Sequence, residues 1–390
     1  MPVISLPRMV LSLLSLAILA GAIYLLWNWN HGHEVLGADG RLRHVRGPDW
    51  KLYTGLAMLA WSFLGRFVVL LLVARGGAAP KAERKQGGPL RAPDGTELHV
   101  ERSGALDGPT LVLTHGWGLN ATAWGAARRD LGGRFRLVTW DLPGLGRSGR
   151  PPDGVFSIDR FAQGLGAVVE ASGPGPVILV GHSIGGMTTQ TLFRACPEAV
   201  RRKVAGVVLV DTTFENPLRT MWLSGLWLAL QRPLIEPICH LTMALWPLAW
   251  LSSWQSYLSG SNQLAMRLTG FGRYPTRGQV DLTARLACKG SPAVQAKGNL
   301  AMFRWDVREV LPAIPVPVLV LAGSKDIVTL PQASEAIAGA VPRARLVGID
   351  GAGHMGFMER ADAYDRAIAE FADEIFAGHR ANAGARTAAV

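Results

Sequence analysis

Apolar residues divide this chain into an N-terminal part with two long apolar runs and a longer part with many short ones. The first run, residues 9–29, contains no charged residue and has about the ~20 residues that a membrane-spanning helix needs. The second run, residues 52–74, contains Arg66 as its one charge, and its twelve Leu, Phe and Val residues outweigh that cost of about 2.5–3.5 kcal/mol. We therefore predict two membrane-spanning helices that form an anchor within residues 1–75.

A cleaved signal peptide is the alternative interpretation of the first run. Ala20-Gly21-Ala22 has the small residues of a cleavage site. However, Arg8 is the only charged residue before the run, and the apolar residues continue well past that site. We therefore favour the helical hairpin.

A basic linker rich in Gly, Ala and Pro follows the second run, at residues 76–91. By the positive-inside rule, basic residues here favour the cytoplasmic side for the rest of the chain. These residues are Arg75, Lys81, Arg84, Lys85 and Arg91. The loop between the runs also holds Arg41, Arg43, Arg46 and Lys51, so the preference is small. The sequence predicts a multi-pass protein of the cell membrane with a cytoplasmic C-terminal domain.

From residue 92 onward, short apolar strands alternate with helical stretches. A Pro-Asp-Gly turn at 93–95 begins a hairpin. Further strands are predicted at 110–115, 135–141, 177–182, 206–211, 317–323 and 344–350, and helices at 158–171, 185–196, 332–340 and 361–376. Apolar strands separated by helices predict an α/β domain whose mostly parallel sheet is covered on both faces. Residues 379–390 have the composition of a loose tail.

One interval, residues 213–305, interrupts this alternation and is rich in Trp and Leu. Part of it, residues 237–254, has the apolar character of a third span, but it contains Pro247 and is flanked by strands of one sheet. Those strands must lie on one side of any membrane. We therefore predict an inserted helical cap, with the core formed by residues 92–212 and 306–378.

Composition and charge agree with a membrane component and exclude other classes. Apolar residues make up 49% of the chain and charged residues 18%. The net charge is +11, but the basic residues are scattered and form no stripe along which a nucleic acid would lie. The excess of arginine over lysine is typical of a GC-rich bacterial genome. Cys196, Cys239 and Cys288 are too far apart for a disulfide framework or a metal site.

The residues Gly181-His182-Ser183-Ile184-Gly185 match the pattern G-x-S-x-G. The pattern lies between a predicted strand and a predicted helix, which is the context of a nucleophile elbow. In that turn the serine backbone is strained, and the glycines leave room for neighbouring backbone and for an incoming carbonyl group. Ser183 is therefore the candidate nucleophile.

Four further residues complete a candidate active site. Asp326 and His354 each follow a predicted strand, so they are expected at the same sheet edge as Ser183, in the order Ser, Asp, His. His354 would act as general base and Asp326 would orient it, with Asp211 as the rival acid. The sequence Thr-His-Gly-Trp-Gly at 114–118 also follows a strand, and the N–H groups of Trp117 and Ile184 would form an oxyanion hole.

These motifs make residues 90–378 similar to the α/β-hydrolase fold, in its lidded esterase and lipase branch. The similarity rests on His-Gly-Trp-Gly, on Asp-Leu-Pro-Gly-Leu-Gly-Arg-Ser-Gly at 141–149, on Gly-His-Ser-Ile-Gly-Gly, and on the late Asp and His. It implies eight strands, a cap after the sixth strand and no cofactor. It gives Asp141 a structural role. Epoxide hydrolases and haloalkane dehalogenases of this family carry Asp where this chain has Ser183, which argues against both chemistries.

Together these features predict a membrane-anchored serine hydrolase that cleaves esters of apolar acyl groups, with membrane lipids as its surroundings. A thioesterase, an amidase or a carbon–carbon hydrolase would use the same catalytic residues, and a non-catalytic binding module is the alternative from another class. Because a linker separates the hairpin from the candidate site, the hairpin is expected to deliver the domain to lipid without contributing to the chemistry.

Overall fold

The computed structural model describes residues 2–77 and 82–388. Lys81 of the predicted linker and the last two residues of the predicted tail lie outside this range. The helices are α1 (Pro2–His31), α2 (Asp49–Val73), α3 (Gly125–Leu131), α4 (Ile158–Glu170), α5 (Ile184–Ala195), α6 (Pro197–Lys203), α7 (Ser224–Leu230), α8 (Glu236–Ala244), α9 (Trp246–Leu258), α10 (Ser261–Gly270), α11 (Arg277–Lys289), α12 (Pro292–Phe303), α13 (Pro331–Ala340), α14 (Gly356–Glu359) and α15 (Ala361–Ala388). The strands are β1 (His33–Leu36), β2 (Leu42–Val45), β3 (Gly87–Arg91), β4 (Glu97–Gly104), β5 (Thr110–Thr114), β6 (Arg136–Trp140), β7 (Val177–His182), β8 (Val204–Val210), β9 (Val318–Gly323) and β10 (Ala344–Ile349).

Eight of these strands form the predicted mostly parallel sheet. Their order is β10-β9-β8-β7-β5-β6-β4-β3. The six strands from β5 to β10 are parallel, whereas β3 and β4 form the antiparallel hairpin expected around the Pro-Asp-Gly turn. Each of the six apolar runs of the sequence is a strand, so the predicted fold class is confirmed.

Alternating side chains along each strand form two hydrophobic cores, one on each face of the sheet. In β5, Val112 packs into the core beneath α4 and α5, whereas Leu111 and Leu113 pack into the core beneath α3 and α15. All three side chains are fully buried. Each contributes about 1.5–3 kcal/mol to folding, which explains why the centre of the strand is apolar on both faces.

The helices α7 to α12 occupy the chain between β8, the sixth strand of the sheet, and β9. The apolar stretch at 237–254 is divided between α8 and α9, and the chain bends by 101° between the helical segments Ser224–Ala244 and Trp246–Leu258. The bend lies just before Pro247, which occupies the first turn of α9, where a proline is tolerated. The stretch is therefore not one straight helix.

The helices α1 and α2 form an antiparallel pair, joined by a short two-stranded ladder of β1 and β2. The segments Met9–His31 and Asp49–Val73 are long and apolar enough to cross a membrane. At 1.5 Å per residue each is at least ~34 Å long, against a hydrocarbon thickness of ~30 Å. Large apolar side chains such as Leu14, Tyr24 and Leu72 are more than half exposed on their outer surface.

The helical hairpin is not separated from the rest of the chain by the linker, which corrects that expectation. The Ser15 hydroxyl lies 2.8 Å from the Ser259 hydroxyl and 2.7 Å from the Ser261 hydroxyl, at the junction of α9 and α10. Gln255 Nε2 donates to the backbone oxygen of Ser62 over 3.1 Å. The helices α1 and α2 therefore pack directly against α9 and α10, although the linker follows α2 in sequence.

Two more features differ from the sequence expectation. The predicted tail from residue 379 continues as part of α15 up to Ala388. The strands β1 and β2 were not expected, since their side chains are exposed throughout and carry no apolar alternation.

Replacing a glycine within a helix by alanine usually stabilises a protein. The contact between α2 and α9 predicts that Gly65→Ala destabilises it instead. A Cβ atom at Gly65 would lie 2.5 Å from the backbone oxygen of Ser259. Gly65→Ala must therefore push α2 away from α9, and we expect it to lower the free energy of unfolding by about 1–3 kcal/mol. Gly225→Ala in α7 is the matched control, because a Cβ there meets no atom within 4 Å, and it should be neutral or slightly stabilising. Thermal unfolding in detergent measures both, and equal shifts would contradict this packing.

Candidate active site

Ser183 lies at the sharp turn between β7 and α5. Its backbone has φ 56° and ψ −119°, a conformation that costs a non-glycine residue about 1–3 kcal/mol. Hydrogen bonds hold it there: Ser183 N donates to the Val210 oxygen over 2.9 Å, and the Thr212 hydroxyl donates to the Ser183 oxygen over 2.6 Å. The strained turn places the serine at the carboxyl end of the central strand, as expected for a nucleophile elbow.

The glycines around Ser183 are required by close backbone contacts. A Cβ atom at Gly181 would lie 2.5 Å from the Gly185 oxygen, and one at Gly185 would lie 2.3 Å from the Thr114 oxygen. Real Cβ atoms do not approach backbone oxygens this closely. The helix α5 can therefore start directly against the end of β5 only because these residues have no side chain.

His354 is fully buried, and its imidazole is fixed by Asp326. Its Nδ1 lies 2.7 Å from Asp326 Oδ2. The same carboxylate accepts the backbone N–H groups of Val328 and Thr329 at 2.7 and 3.0 Å and the Thr329 hydroxyl at 2.7 Å. Since Nδ1 faces the carboxylate, Nε2 is the nitrogen left for proton transfer, and it is buried without a hydrogen-bond partner among the residues that the structure describes.

A contact of His182, the residue before Ser183, holds the His354 loop next to the turn at Ser183. Nε2 of His182, which precedes Ser183, lies 2.9 Å from the backbone oxygen of His354, and the two rings are 5.0 Å apart. Gly116, which follows β5, also lies close to the serine: a Cβ atom at Gly116 would lie 3.5 Å from the Ser183 Cβ. Burial and the neighbouring His354 hold the pKa of His182 well below its usual value. A neutral His182 therefore supports the loop without adding charge to the site.

The rival acid, Asp211, faces a different partner. Its carboxyl accepts the Gly323 N–H at 2.7 Å, and Tyr364 Oη lies 2.9 and 3.1 Å from its two oxygens. Burial and the nearby charge of Asp326 raise the pKa of Asp211 well above its usual range. Asp211 therefore braces the start of the Asp326 loop, while Asp326 contacts the histidine. Asp350 lies on the exposed side of its loop, where it accepts the Ser324 hydroxyl at 3.2 Å.

The two residues predicted for the oxyanion hole lie on the same sheet edge. Ile184 is the first residue of α5, so its N–H has no acceptor within the helix. The indole of Trp117 packs against α12, where its Nε1 donates to the Gln295 oxygen over 3.1 Å. A Cβ at Gly298 would lie 2.0 Å from the indole ring. Sequence reasoning considered only the Trp117 backbone and missed this contact with α12.

A cavity of about 180 Å³ lies between the hairpin, the helices α8 to α12 and the sheet edge, and we call it the cap cavity. Its walls are Met9 and Ser12 of α1; Trp117, Gly118 and Leu119; Ile238, Cys239, Thr242, Ala249, Ser252, Ser253, Met266, Thr283, Ala287, Pro292, Gln295, Ala296 and Asn299; and Met355. Its lining includes Trp117, of the predicted oxyanion hole, and Met355, which follows His354. The sequence analysis did not assign any residue of α1 to the site. Ser12 and Ser15, which lie three residues apart in a largely apolar helix, could have indicated that this face of α1 contacts protein.

Among residues 2–77 and 82–388, no three His, Cys, Asp or Glu side chains group as metal ligands would.

The contacts of the two acids predict opposite outcomes for one substitution. Asp326→Asn should lower kcat by about 10⁴-fold, because the amide no longer holds the histidine tautomer with Nε2 free. Asp211→Asn should have a much smaller effect, because Asp211 contacts Gly323 and Tyr364 whereas Asp326 contacts His354. Steady-state hydrolysis of a soluble ester measures both. The reverse ranking would assign the acid to Asp211.

Comparison with known proteins identifies the family and the fold. A family model described as the alpha/beta hydrolase family matches residues 111–367. The pimeloyl-[acyl-carrier protein] methyl ester esterase of Nitrosomonas europaea is 29% identical over 262 residues, which is 67% of this chain and 94% of that protein. The polyketide synthase ThaQ of Burkholderia thailandensis is 29% identical over 298 residues, but this chain matches only 13% of its length.

A solved structure supports the same fold. A bacterial membrane phospholipase A, at 22% identity, aligns with a TM-score of 0.58 over 83% of this chain and 93% of its own. Sequence family, esterase relatives and fold agree, and we conclude that this chain belongs to the alpha/beta hydrolase family and is a hydrolase of the esterase type.

Proposed function

We propose that this protein is a membrane-bound serine esterase that cleaves carboxylic esters of apolar, lipid-like acyl groups. Ser183 is the nucleophile, His354 the general base and then the general acid, and Asp326 the residue that orients it. Membrane lipids surround the hairpin, and the catalytic domain lies on the cytoplasmic side.

The proposed reaction has two steps. Ser183 Oγ attacks the ester carbonyl while His354 Nε2 accepts the serine proton, and the Trp117 and Ile184 N–H groups stabilise the oxyanion. The proton then passes to the leaving alkoxide, so an alcohol departs and an acyl-enzyme remains. Water, activated by the same nitrogen, releases the acid and restores the serine. The 2.7 Å contact of His354 Nδ1 with Asp326 favours the tautomer that this sequence requires.

The cap cavity is the observation that carries the choice of substrate. Its lining joins Trp117 and Met355 to residues of the helices α8 to α12, and part of its wall belongs to α1. A polar, freely diffusing ester would not need such a wall. The names of two relatives, a methyl ester esterase of an acyl group and a membrane phospholipase A, are consistent with an acyl ester.

Exposed apolar side chains support membrane attachment through more than the hairpin. On α8 and α9, Leu241, Leu248 and Leu251 are 58–64% exposed, and Leu245 and Trp246 between them are 45% and 43% exposed. A contiguous apolar surface of this kind is rare on proteins surrounded by water and indicates contact with lipid or a partner. Because α1 and α2 pack beside α9, the simplest covering is the same bilayer.

A fluorophosphonate probe tests the nucleophile. We expect covalent labelling at Ser183, and Ser183→Ala should abolish labelling and ester turnover together, because an activated serine attacks phosphorus as it attacks a carbonyl carbon. Ser324→Ala, an exposed serine on the Asp326 loop, is the control and should retain both. Labelling that persists in Ser183→Ala would remove this serine from the mechanism.

The substrate class is tested on the same full-length protein with a chain-length series. Matched p-nitrophenyl esters from acetate to palmitate, thioesters and amides separate the proposed esterase from enzymes that use the same triad on other bonds. A preference for long oxygen esters is expected. Faster turnover of thioesters or amides would replace the proposal with that alternative.

A further inference from the structure

The cavity next to the candidate site has a membrane helix as one wall. Met9 and Ser12 line the cap cavity, and both belong to the candidate span Met9–His31. Ser12 is 7% exposed, whereas the next residues, Leu13 and Leu14, are 56% and 54% exposed. One face of α1 is therefore directed to the cavity and the cap, and the neighbouring face is open to the surroundings.

The contacts of α1 place part of the cap at the depth of the bilayer. Met9, Ser12 and Ser15 are spaced by three residues, so they share one face of the helix. Ser15 is held by the hydroxyls of Ser259 and Ser261. Six residues of helix span ~9 Å, so residues beside Ser15 lie ~9 Å further along the candidate span than those beside Met9. The cap therefore extends along the membrane helix rather than ending at its tip.

The cavity lining on this side comes from three helices. Met9 and Ser12 belong to α1, while Thr242 and Ser252 belong to α8 and α9. The outer surfaces of α8 and α9 carry the exposed leucines described above. We call the boundary between α1 and the helices α8 and α9 the seam: α1 packs against α9, and residues of all three helices line the cap cavity.

We propose that the ester enters the cap cavity laterally from the bilayer through the seam between α1 and the helices α8 and α9, and that Ser12 limits the acyl length that fits. The inference rests on the proposed esterase function and adds the route and a specificity-determining residue. It assigns α1 to the substrate site, in place of a passive anchor. The substrate class is a membrane-resident ester whose acyl chain extends from Ser183 toward Ser12.

A bulky residue at position 12 tests the route in the full-length protein. Ser12→Trp should lower the ratio of kcat/KM for p-nitrophenyl dodecanoate to that for p-nitrophenyl acetate roughly tenfold, because it fills space that only the long chain uses. Leu13→Trp adds the same side chain to the outer face of the same helix and should leave the ratio within about twofold, a difference below ~0.4 kcal/mol. An unchanged ratio in Ser12→Trp, or an equal change in both variants, would overturn the proposal.

A second measurement covers the case in which Ser12→Trp does not fold. Ser12→Cys in a Cys239→Ser background introduces a small thiol into the cavity wall and removes the native one. Occupying Ser183 with a dodecyl phosphonate should slow maleimide alkylation of the introduced thiol several-fold relative to a methyl phosphonate. Equal alkylation rates would overturn the proposal. Failure of the esterase function itself is distinguishable, since the unmodified protein would then cleave neither ester and Ser183 would not be labelled.

Discussion

The close approach of α5 to the end of β5 is the constraint on which the rest of the site depends. Gly185 can lie against the Thr114 oxygen only without a side chain, and this contact forces the chain to turn at Ser183 with a positive φ. The Val210 oxygen and the Thr212 hydroxyl then hold the turn from β8 and the residues after it. Three neighbouring strands thus fix one serine, and the loops that follow β9 and β10 bring Asp326 and His354 to the same edge. The strain at the turn is offset by the two hydrophobic cores beneath it.

The sheet and the candidate triad were predictable from sequence because each has a local signal. A strand buried on both faces is apolar along most of its length, so the runs at β5, β7 and β8 could be recognised directly. Ser183, Asp326 and His354 each follow such a run, and parallel strands end at one edge. The choice between Asp326 and Asp211 could not be made in this way. It depends on Tyr364, which is 153 residues from Asp211 in sequence but whose hydroxyl contacts the Asp211 carboxyl group in the fold.

The packing of the hairpin against the cap could not be predicted for a related reason. Its polar contacts are made by single hydroxyls and a backbone oxygen, such as Ser15 with Ser259 and Gln255 with Ser62, within stretches that otherwise have the composition of lipid-facing helices. An apolar face that contacts protein and one that contacts lipid have the same composition. Only the serine pair in α1 and Gly65 in α2 indicate where close helix contacts replace lipid.

The indole of Trp117 has a consequence for control of the enzyme. The loop that would supply one oxyanion donor is tied to α12 through Gln295 and Gly298, while α12 packs against α8 and α9. The helices α9 and α10 in turn pack against α1 and α2. If α1 and α2 cross a bilayer as proposed, its lateral pressure or thickness would be transmitted through a short series of packed helices to the backbone that surrounds the developing charge. A change in bilayer composition would then alter turnover without any ligand binding.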